Sequence, residues 1–389
     1  MDLVILGGAM VGATLALAAE QLHASDGRRL SIALIEAQES MSLAPSSFDD
    51  RSIALTAGSV AHLQQWGLWP AMATLAQPIE QIVVSDKGHF GGLTLKAADH
   101  QVTAFGHVIE LATTGTALWQ RLRQSTVQLH CPAHLSQLQL TNDGAHLELN
   151  NGLKLQAKLV IGSDGQTSSL RRLLGIATEQ YDYQQTALIA NLRFKQHHNT
   201  AFERFTAEGP LALLPMSQQR YSLVWVQSPQ QAQRRLQLDD RQFAQECQRA
   251  FGHRLGRITQ VGQRQDYPLS LTYAQRLHWP RCLLIGNAAQ TLHPIAGQGF
   301  NLGLRDVASL INQLQKALDN NQDCGQWSYL QDYVDERQPD RSRMIGFTHG
   351  LVRLFSQSAP LLALGRNSGL LAMALKPQWQ RALVRQALG

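Results

Sequence analysis

The first apolar run of the chain ends in Gly7-Gly8-Ala9-Met10-Val11-Gly12, and an acidic residue, Glu36, stands 24 positions beyond Gly12. Glycines at Gly7 and Gly12 allow a tight turn and a close approach of helix to strand. A helix opening here offers unpaired N–H groups and a positive dipole end to a phosphate. A carboxylate at the end of the next strand accepts hydrogen bonds from an adenosine ribose, which favours FAD or NAD over NADP. Ala9 stands where the G-x-G-x-x-G fingerprint has its second glycine, and this weakens the match; a tight turn without a ligand is the alternative.

Two later stretches have the same form, an apolar strand followed by a glycine turn and a helix. Gly162-Ser163-Asp164-Gly165-Gln166-Thr167-Ser168-Ser169-Leu170-Arg171 follows KLVIG, with Ser168 or Ser169 placed to cap a helix. Taken alone, its Asp-Gly pair is only a turn. From Leu284 to Asp306 the chain reads LIGNAAQTLHPIAGQGFNLGLRD, with Gly286, Gly297, Gly299 and Gly303 leading into a helix expected near Phe300. Such glycines let backbone lie flat against a ring, and a helix N-terminus stabilises negative charge on it. A flavin, whose N1–C2=O edge becomes anionic on reduction, fits both properties.

The elements that must position these residues read as follows. LVILGGAMVGATLALAAEQL and SIALIE form a strand–turn–helix–strand unit. Pro45 to Gly58 reads as a loop leading to a helix over about Ser59 to Trp66. Strands are expected from Ile82 to Leu95, and a helix over Thr114 to Gln124. A hairpin turned at Asn150-Asn151-Gly152 is expected to run its second arm into KLVIG. Tyr183 to Tyr273 is β-rich around one polar helix at about Asp240 to Phe251. The last ninety or so residues read as helical, ending in an apolar helix pair.

The 389 residues are 44% hydrophobic and 16% charged, with a net charge of +5, which describes a globular chain of two domains or one large α/β domain with insertions, and a nucleic-acid patch is not indicated. Its four cysteines are widely spaced, so a metal or redox cluster is not expected, and a reduced, cytoplasmic setting is. No run is long and apolar enough to span a membrane, and Leu3 to Ala19 lacks the basic flank of a signal peptide.

The three motifs, in this order, resemble those of the group A flavoprotein aromatic hydroxylases: GxGxxG, GADGxxSxxR and GDAAHxxxPxxGQGxNxGxxD. The phrases DDRSIAL, VSDKGHFGGLTL, ERFTAEGPLALLPM and GNAAQTLHPIAGQGFNLG resemble the ubiquinone-biosynthesis branch, closest to the 2-polyprenyl-6-methoxyphenol hydroxylases. The resemblance covers nearly the whole chain. Asn287 and Gln290 replace the usual Asp and His of the late motif, which puts flavin affinity in doubt.

The resemblance implies an α/β fold: a Rossmann-like FAD-binding domain of the glutathione-reductase type, as in p-hydroxybenzoate hydroxylase-like enzymes, a β-sheet substrate domain and C-terminal helices. The implied FAD-binding domain is residues 1–75, 100–180 and 275–330. The substrate domain is 76–99 and 181–274, and the helical region is 331–389. The implied reaction uses FAD, NADPH and O2 to hydroxylate a 2-polyprenyl-6-methoxyphenol para to its hydroxyl. The cofactor-binding residues by motif position are Gly7, Gly12, Glu36, Arg51, Asp164, Gly286, Asn287, Gly297, Gln298, Gly299 and Asn301. His293, as a proton-transfer group or a packed turn residue, and Pro294 shape the catalytic loop. Leu213, Pro215, Met216 and Trp225 are expected to wall the substrate cavity. The implied setting is a cytoplasmic quinone-biosynthesis complex, with peripheral contact at the inner membrane for a polyprenyl substrate. A soluble aromatic acid as substrate would require a basic pocket residue, with Arg193, Arg204 and Arg220 as candidates. A flavin-less polyprenyl-binding protein is the non-enzymatic alternative.

Overall fold

The computed structural model describes residues 1–38, 49, 51–89, 92–292, 298–356, 378, 380 and 384. His293, Pro294 and Gly297 lie outside the described residues, as does most of the expected C-terminal helix pair.

Four short apolar strands build the first sheet: Leu3–Leu6, Ile32–Ile35, Leu159–Gly162 and Cys282–Leu284, every residue of them buried. They run parallel, and the sheet is completed by Gln128–His130 at one edge and an antiparallel His278–Trp279 at the other. Side-chain alternation explains why no polar residue interrupts these strands. Leu3, Ile5, Ile32, Leu34, Leu159, Ile161 and Leu283 face a helical layer that includes Met10–Glu20 and Gln298–Asp319. Val4, Leu6, Ala33, Ile35, Val160, Cys282 and Leu284 face a separate three-stranded antiparallel sheet. With both faces covered, each fully buried Leu or Ile contributes about 2 kcal/mol.

That three-stranded sheet contains the expected hairpin, Ala145–Leu149 with Lys154–Ala157, but the second arm does not continue into LVIG. The chain changes sheets at Lys158, whose N–H donates to Met1 O (3.1 Å) and whose Nζ pairs with Asp2 (2.7 Å). Leu159–Gly162 then joins the parallel sheet beside Leu3–Leu6. An all-apolar run needs cover on both faces, which a hairpin arm open to solvent on one face lacks.

The second sheet has nine strands and is mainly antiparallel, with Thr178–Phe194 as its longest member. One face packs on the helices Pro229–Leu236 and Asp240–Phe251 through Leu188, Leu192, Leu213, Tyr221, Leu223 and Trp225. The helix Asp240–Phe251 has a complete capping box between Asp239 and Gln242. Leu213 and Trp225 are therefore core residues turned away from the site, contrary to their expected place in a cavity wall. In a strand the wall must come from the alternate positions. Those positions, Ala212, Leu214 and Val224, lie on the opposite face, where Leu214 and Met216 meet Ala54 and Val108 of a small third sheet formed by Ser52–Thr56, Gln77–Pro78 and Gly106–Glu110. The helix Trp327–Ser356 packs along Gln298–Asp319. Among the described residues no helix is long and apolar enough to cross a membrane.

Candidate active site

The carboxyl ends of the parallel strands bring the three motifs together. Gly7 has φ +94°, and a Cβ there would lie 2.6 Å from Ser163 O. A Cβ on Gly12 would lie 1.9 Å from Gly7 O and 2.4 Å from Ser163 Oγ. Both contacts are with other parts of the cradle, so these two glycines let the first and second motifs touch. Ser163 Oγ completes the contact by donating to Leu6 O (2.8 Å) and Gly7 O (3.0 Å).

The helix that follows begins at Met10 with no side-chain cap and no acidic residue in its first turn, so its N–H groups stay open to an anion. Ala9, the N-cap, is exposed and has φ −70°, an ordinary conformation for an L-residue. The departure from glycine therefore costs no backbone strain. Glu36 stands at this cradle, accepting from Gly8 N (2.6 Å) and Gln38 N (2.9 Å). Two carboxylate oxygens have about four acceptor sites, so capacity remains for ribose hydroxyls. Trp119 closes the turn, donating from Nε1 to Gly8 O (3.0 Å). No local signal in the sequence marks Trp119 for this place.

In the second motif, Ser168 caps the short helix by accepting from Arg171 N (3.1 Å). Asp164 Oδ2 accepts from Ser169 N and Ser169 Oγ, both at 2.7 Å. Asp164 Oδ1 is buried and has no partner among the described residues. A buried acceptor left unpaired costs about 1–3 kcal/mol, and a donor on a bound cofactor would relieve it. Arg171 ties this motif to the third, donating to Ala288 O (2.7 Å) and Gln166 O (2.5 Å).

The third motif is held from behind. Gly286 (φ +55°) and Gly303 both press on Val11; a Cβ on Gly303 would lie 2.8 Å from Val11 Cγ2. Thus Gly303 serves helix-on-helix packing, whereas a Cβ on Gly299, in the first turn of Gln298–Asp319, would meet nothing within 4 Å. Asn287 is exposed. Asn301 is buried and spans to the small sheet, accepting from Thr56 N (2.9 Å) and donating to Ala54 O (2.8 Å).

Gln290, the replacement for His, is buried in a polar network. It donates to Asp306 Oδ2 (3.1 Å) and accepts from Arg341 Nε (2.9 Å), while Asp306 also accepts from Gly286 N (3.1 Å) and Arg337 Nε (2.9 Å). Arg337 and Arg305 both pair with Asp340. Burial opposes the charge on Arg337, but Asp306 and Asp340 hold its pKa above the ordinary value. Arg337 and Arg341 lie on one face of the last helix at i, i+4 spacing. That spacing is visible in the sequence; what they bind is not, because their partners lie up to 67 residues away.

Arg51 is exposed and sits over the ring of Tyr267, 6.0 Å from its centroid, bridging the small sheet and the nine-stranded sheet. Arg220 is fully buried and paired with Glu110, which also accepts from Ser217 Oγ (2.9 Å). It does not offer its charge to an acidic ligand. Arg204 is committed to Ala250 O (3.0 Å) and Ser85 Oγ (3.3 Å).

Residues 1–348 match the family described as FAD binding domain. The chain is 35% identical over its whole length to the ubiquinone hydroxylase UbiL of Rhodospirillum rubrum, covering 89% of that protein. It is 31% identical to the 3-demethoxyubiquinol 3-hydroxylase of Escherichia coli K12, covering all of this chain and 98% of that one. Its fold is similar to that of the p-nitrophenol 4-monooxygenase PnpA of Pseudomonas putida, with TM-score 0.80, 16% identity, and 100% and 98% of the two chains covered. An open-ended helix beside a glycine cradle, an acid at the next strand end and an Asp164 oxygen without a described partner are compatible with a dinucleotide cofactor. With them, these similarities show that the chain belongs to the FAD-dependent aromatic monooxygenases, in the branch that includes the ubiquinone hydroxylases.

Proposed function

We propose that this protein uses NADPH, O2 and bound FAD to hydroxylate a 2-polyprenyl-6-methoxyphenol para to its hydroxyl, giving the 1,4-benzoquinol in ubiquinone biosynthesis. The observation that carries the reading is the end-to-end similarity to a ubiquinone hydroxylase at 35% identity. Both ortho positions of such a phenol are occupied, and its hydroxyl activates ortho and para carbons, so para attack follows. Hydroxylation at another ring carbon of the same pathway is the second reading, favoured by the name of the E. coli relative. An acidic substrate is disfavoured by the pairing of Arg220 with Glu110.

When bound, FAD would supply the redox chemistry of an NADPH- and O2-dependent hydroxylation. The chain's part is to bind, orient and exclude water. Gly7, Gly12 and the N-terminus at Met10 take the pyrophosphate, Glu36 the ribose, and Asp164 the flavin side. Gly286, Asn287, Gln298 and Gly299 would hold the flavin ring, with Asn301 anchoring that helix to the small sheet and Arg51 a contact for the flavin or the nicotinamide phosphate. His293, Pro294 and Gly297 belong, by motif position, to the loop over the ring. In this reading 1–75, 100–180 and 275–330 hold FAD, 76–99 and 181–274 hold the substrate, and 331–389 supports the late motif. The setting is cytoplasmic, in a quinone-biosynthesis complex with peripheral membrane contact.

The test is anaerobic flavin reduction by NADPH, with and without a short-tailed 2-prenyl-6-methoxyphenol, followed by admission of O2 and product identification. Faster reduction with the phenol and a para-quinol product are expected. A product hydroxylated elsewhere on the ring supports the second reading, and absence of bound flavin overturns both.

A further inference from the structure

One face of the nine-stranded sheet carries a carboxylate that none of the motifs uses. Pairing register sets Gln265, Ile189, Val224, Ala212, Glu203 and Val84 in one row across six strands. Their chain neighbours Leu213 and Phe202 enter the helix-covered core, so alternation sends this row to the other face, the one that meets the small sheet and carries Tyr267 under Arg51. Ile189, Val224, Ala212 and Val84 are apolar and lie mid-sheet, yet each is only partly buried. The part of this apolar surface left exposed beside the packing of Val84 against the cluster that includes Val384 suits an aromatic ring with a hydrocarbon tail.

Glu203 stands in that row and makes no hydrogen bond or ion pair with any described residue. Part of its surface stays open, while desolvation of its carboxyl pushes the pKa up from 4.5 to about 7. Of the other charged groups around this face, Arg193 stands opposite Arg220, three strands from Glu203, and has an interaction of its own. Asp86, on the adjacent strand, pairs with His89 (3.5 Å), Arg51 lies over Tyr267 across the sheet, and Glu110 and Arg220 pair with each other.

We propose that Glu203 is a catalytic base that takes the proton from the hydroxyl of the bound phenol, a role that rests on the hydroxylase reading above. The phenol O–H bond breaks, the proton bonds to a Glu203 oxygen, and the electron pair stays on the phenol oxygen, raising electron density at the ortho and para carbons. After the ring carbon has gained its oxygen, that carbon gives its hydrogen to solvent as a proton, and Glu203 returns its own proton to the ring oxygen. Glu203 ends ionised, ready for the next cycle. A phenol such as Tyr ionises at about 10. Lifting the acceptor from 4.5 to about 7 therefore narrows the mismatch to roughly 3 pK units, the direction a general base requires.

The experiment compares FAD-loaded full-length wild type, Glu203→Gln and Glu203→Asp. An infrared pH titration is expected to show a protonated carboxyl band that disappears with a midpoint near 7 in wild type and is missing in Glu203→Gln. With 2-prenyl-6-methoxyphenol, wild-type kcat/KM should rise with pH through about 7, because only the ionised carboxylate accepts a proton. Glu203→Gln should lower kcat/KM about 10²-fold and flatten that rise, with partial rescue by Glu203→Asp. The deficit should shrink with a ring-fluorinated analogue, whose phenol ionises more readily. A Glu203→Gln enzyme with the wild-type rate and pH profile overturns the proposal, as does an equal deficit with both phenols, which marks a structural role. A midpoint near 4.5 in wild type overturns it without any variant. If wild type reduces its flavin but hydroxylates no phenol, the hydroxylase reading has failed instead, and Glu203 loses its substrate with it.

Discussion

The two large sheets solve the problem of holding a ligand in different ways. In the parallel sheet both faces are packed, by helices on one side and a three-stranded sheet on the other. Its chemistry lies at the strand ends, where backbone N–H groups, glycines and a few capping side chains meet. In the nine-stranded sheet one face is sealed by helices, and the other keeps a row of half-buried positions, where the proposed reading puts the substrate. In the proposed reading the sealed sheet would recognise a constant group, a dinucleotide, through backbone, and the half-open sheet a variable ring through side chains that can change without altering the fold.

The largest expected effect falls where the small third sheet joins the nine-stranded sheet. Glu110 lies at the end of a small-sheet strand and holds the fully buried Arg220 of the nine-stranded sheet. Glu110→Gln leaves Arg220 as an uncompensated buried charge, and stability should fall by about 3–5 kcal/mol in a denaturant titration. Loss below 1 kcal/mol would mean that the two sheets are not coupled through this pair. Next comes the cradle. Gly12→Ala places a methyl 1.9 Å from a carbonyl oxygen that cannot move without opening the turn. Loss of bound FAD and about 3 kcal/mol of stability are expected, read from the flavin absorbance of the purified protein and its unfolding midpoint. A yellow Gly12→Ala protein of normal stability would show that the cradle adapts, and the contrast between a backbone site and a side-chain site would lose its force.

This contrast also explains what could be read in advance. The βαβ unit, the helix at Asp240–Phe251 and the three glycine turns were legible because each rests on local rules: period, caps and conformations that glycine favours. Glu36 was legible because its distance from Gly12 is set by one helix and two turns. The break between Lys154–Ala157 and Leu159–Gly162 was not, since only tertiary cover tells a hairpin arm from a buried strand. The facing of Leu213 and Trp225 was not either. An apolar stripe shows that a strand has an inner face but not which of two layers it meets. Trp119, Arg337 and Arg341 act on backbone and carboxyl groups far away in sequence, and their roles follow from topology rather than from spacing.

The smallest expected effect is the sharpest test of the backbone rule. Ala9 departs from the glycine of the fingerprint, and a count of motif matches predicts that restoring it should tighten FAD binding. The conformation predicts otherwise. At φ −70° and ψ −173° Ala9 occupies ordinary extended backbone, and its side chain is exposed. Glycine would gain nothing sterically and would add freedom to the unfolded chain. N-cap statistics favour Gly over Ala by a fraction of a kcal/mol, which offsets that loss. Ala9→Gly should therefore change stability by less than about 0.5 kcal/mol and leave FAD affinity within roughly twofold. Fluorescence titration of the apoprotein with FAD reads the second quantity directly. A tenfold gain in affinity would mean that the methyl of Ala9 meets the pyrophosphate, so that space above the cradle, rather than backbone freedom within it, is what the second glycine supplies.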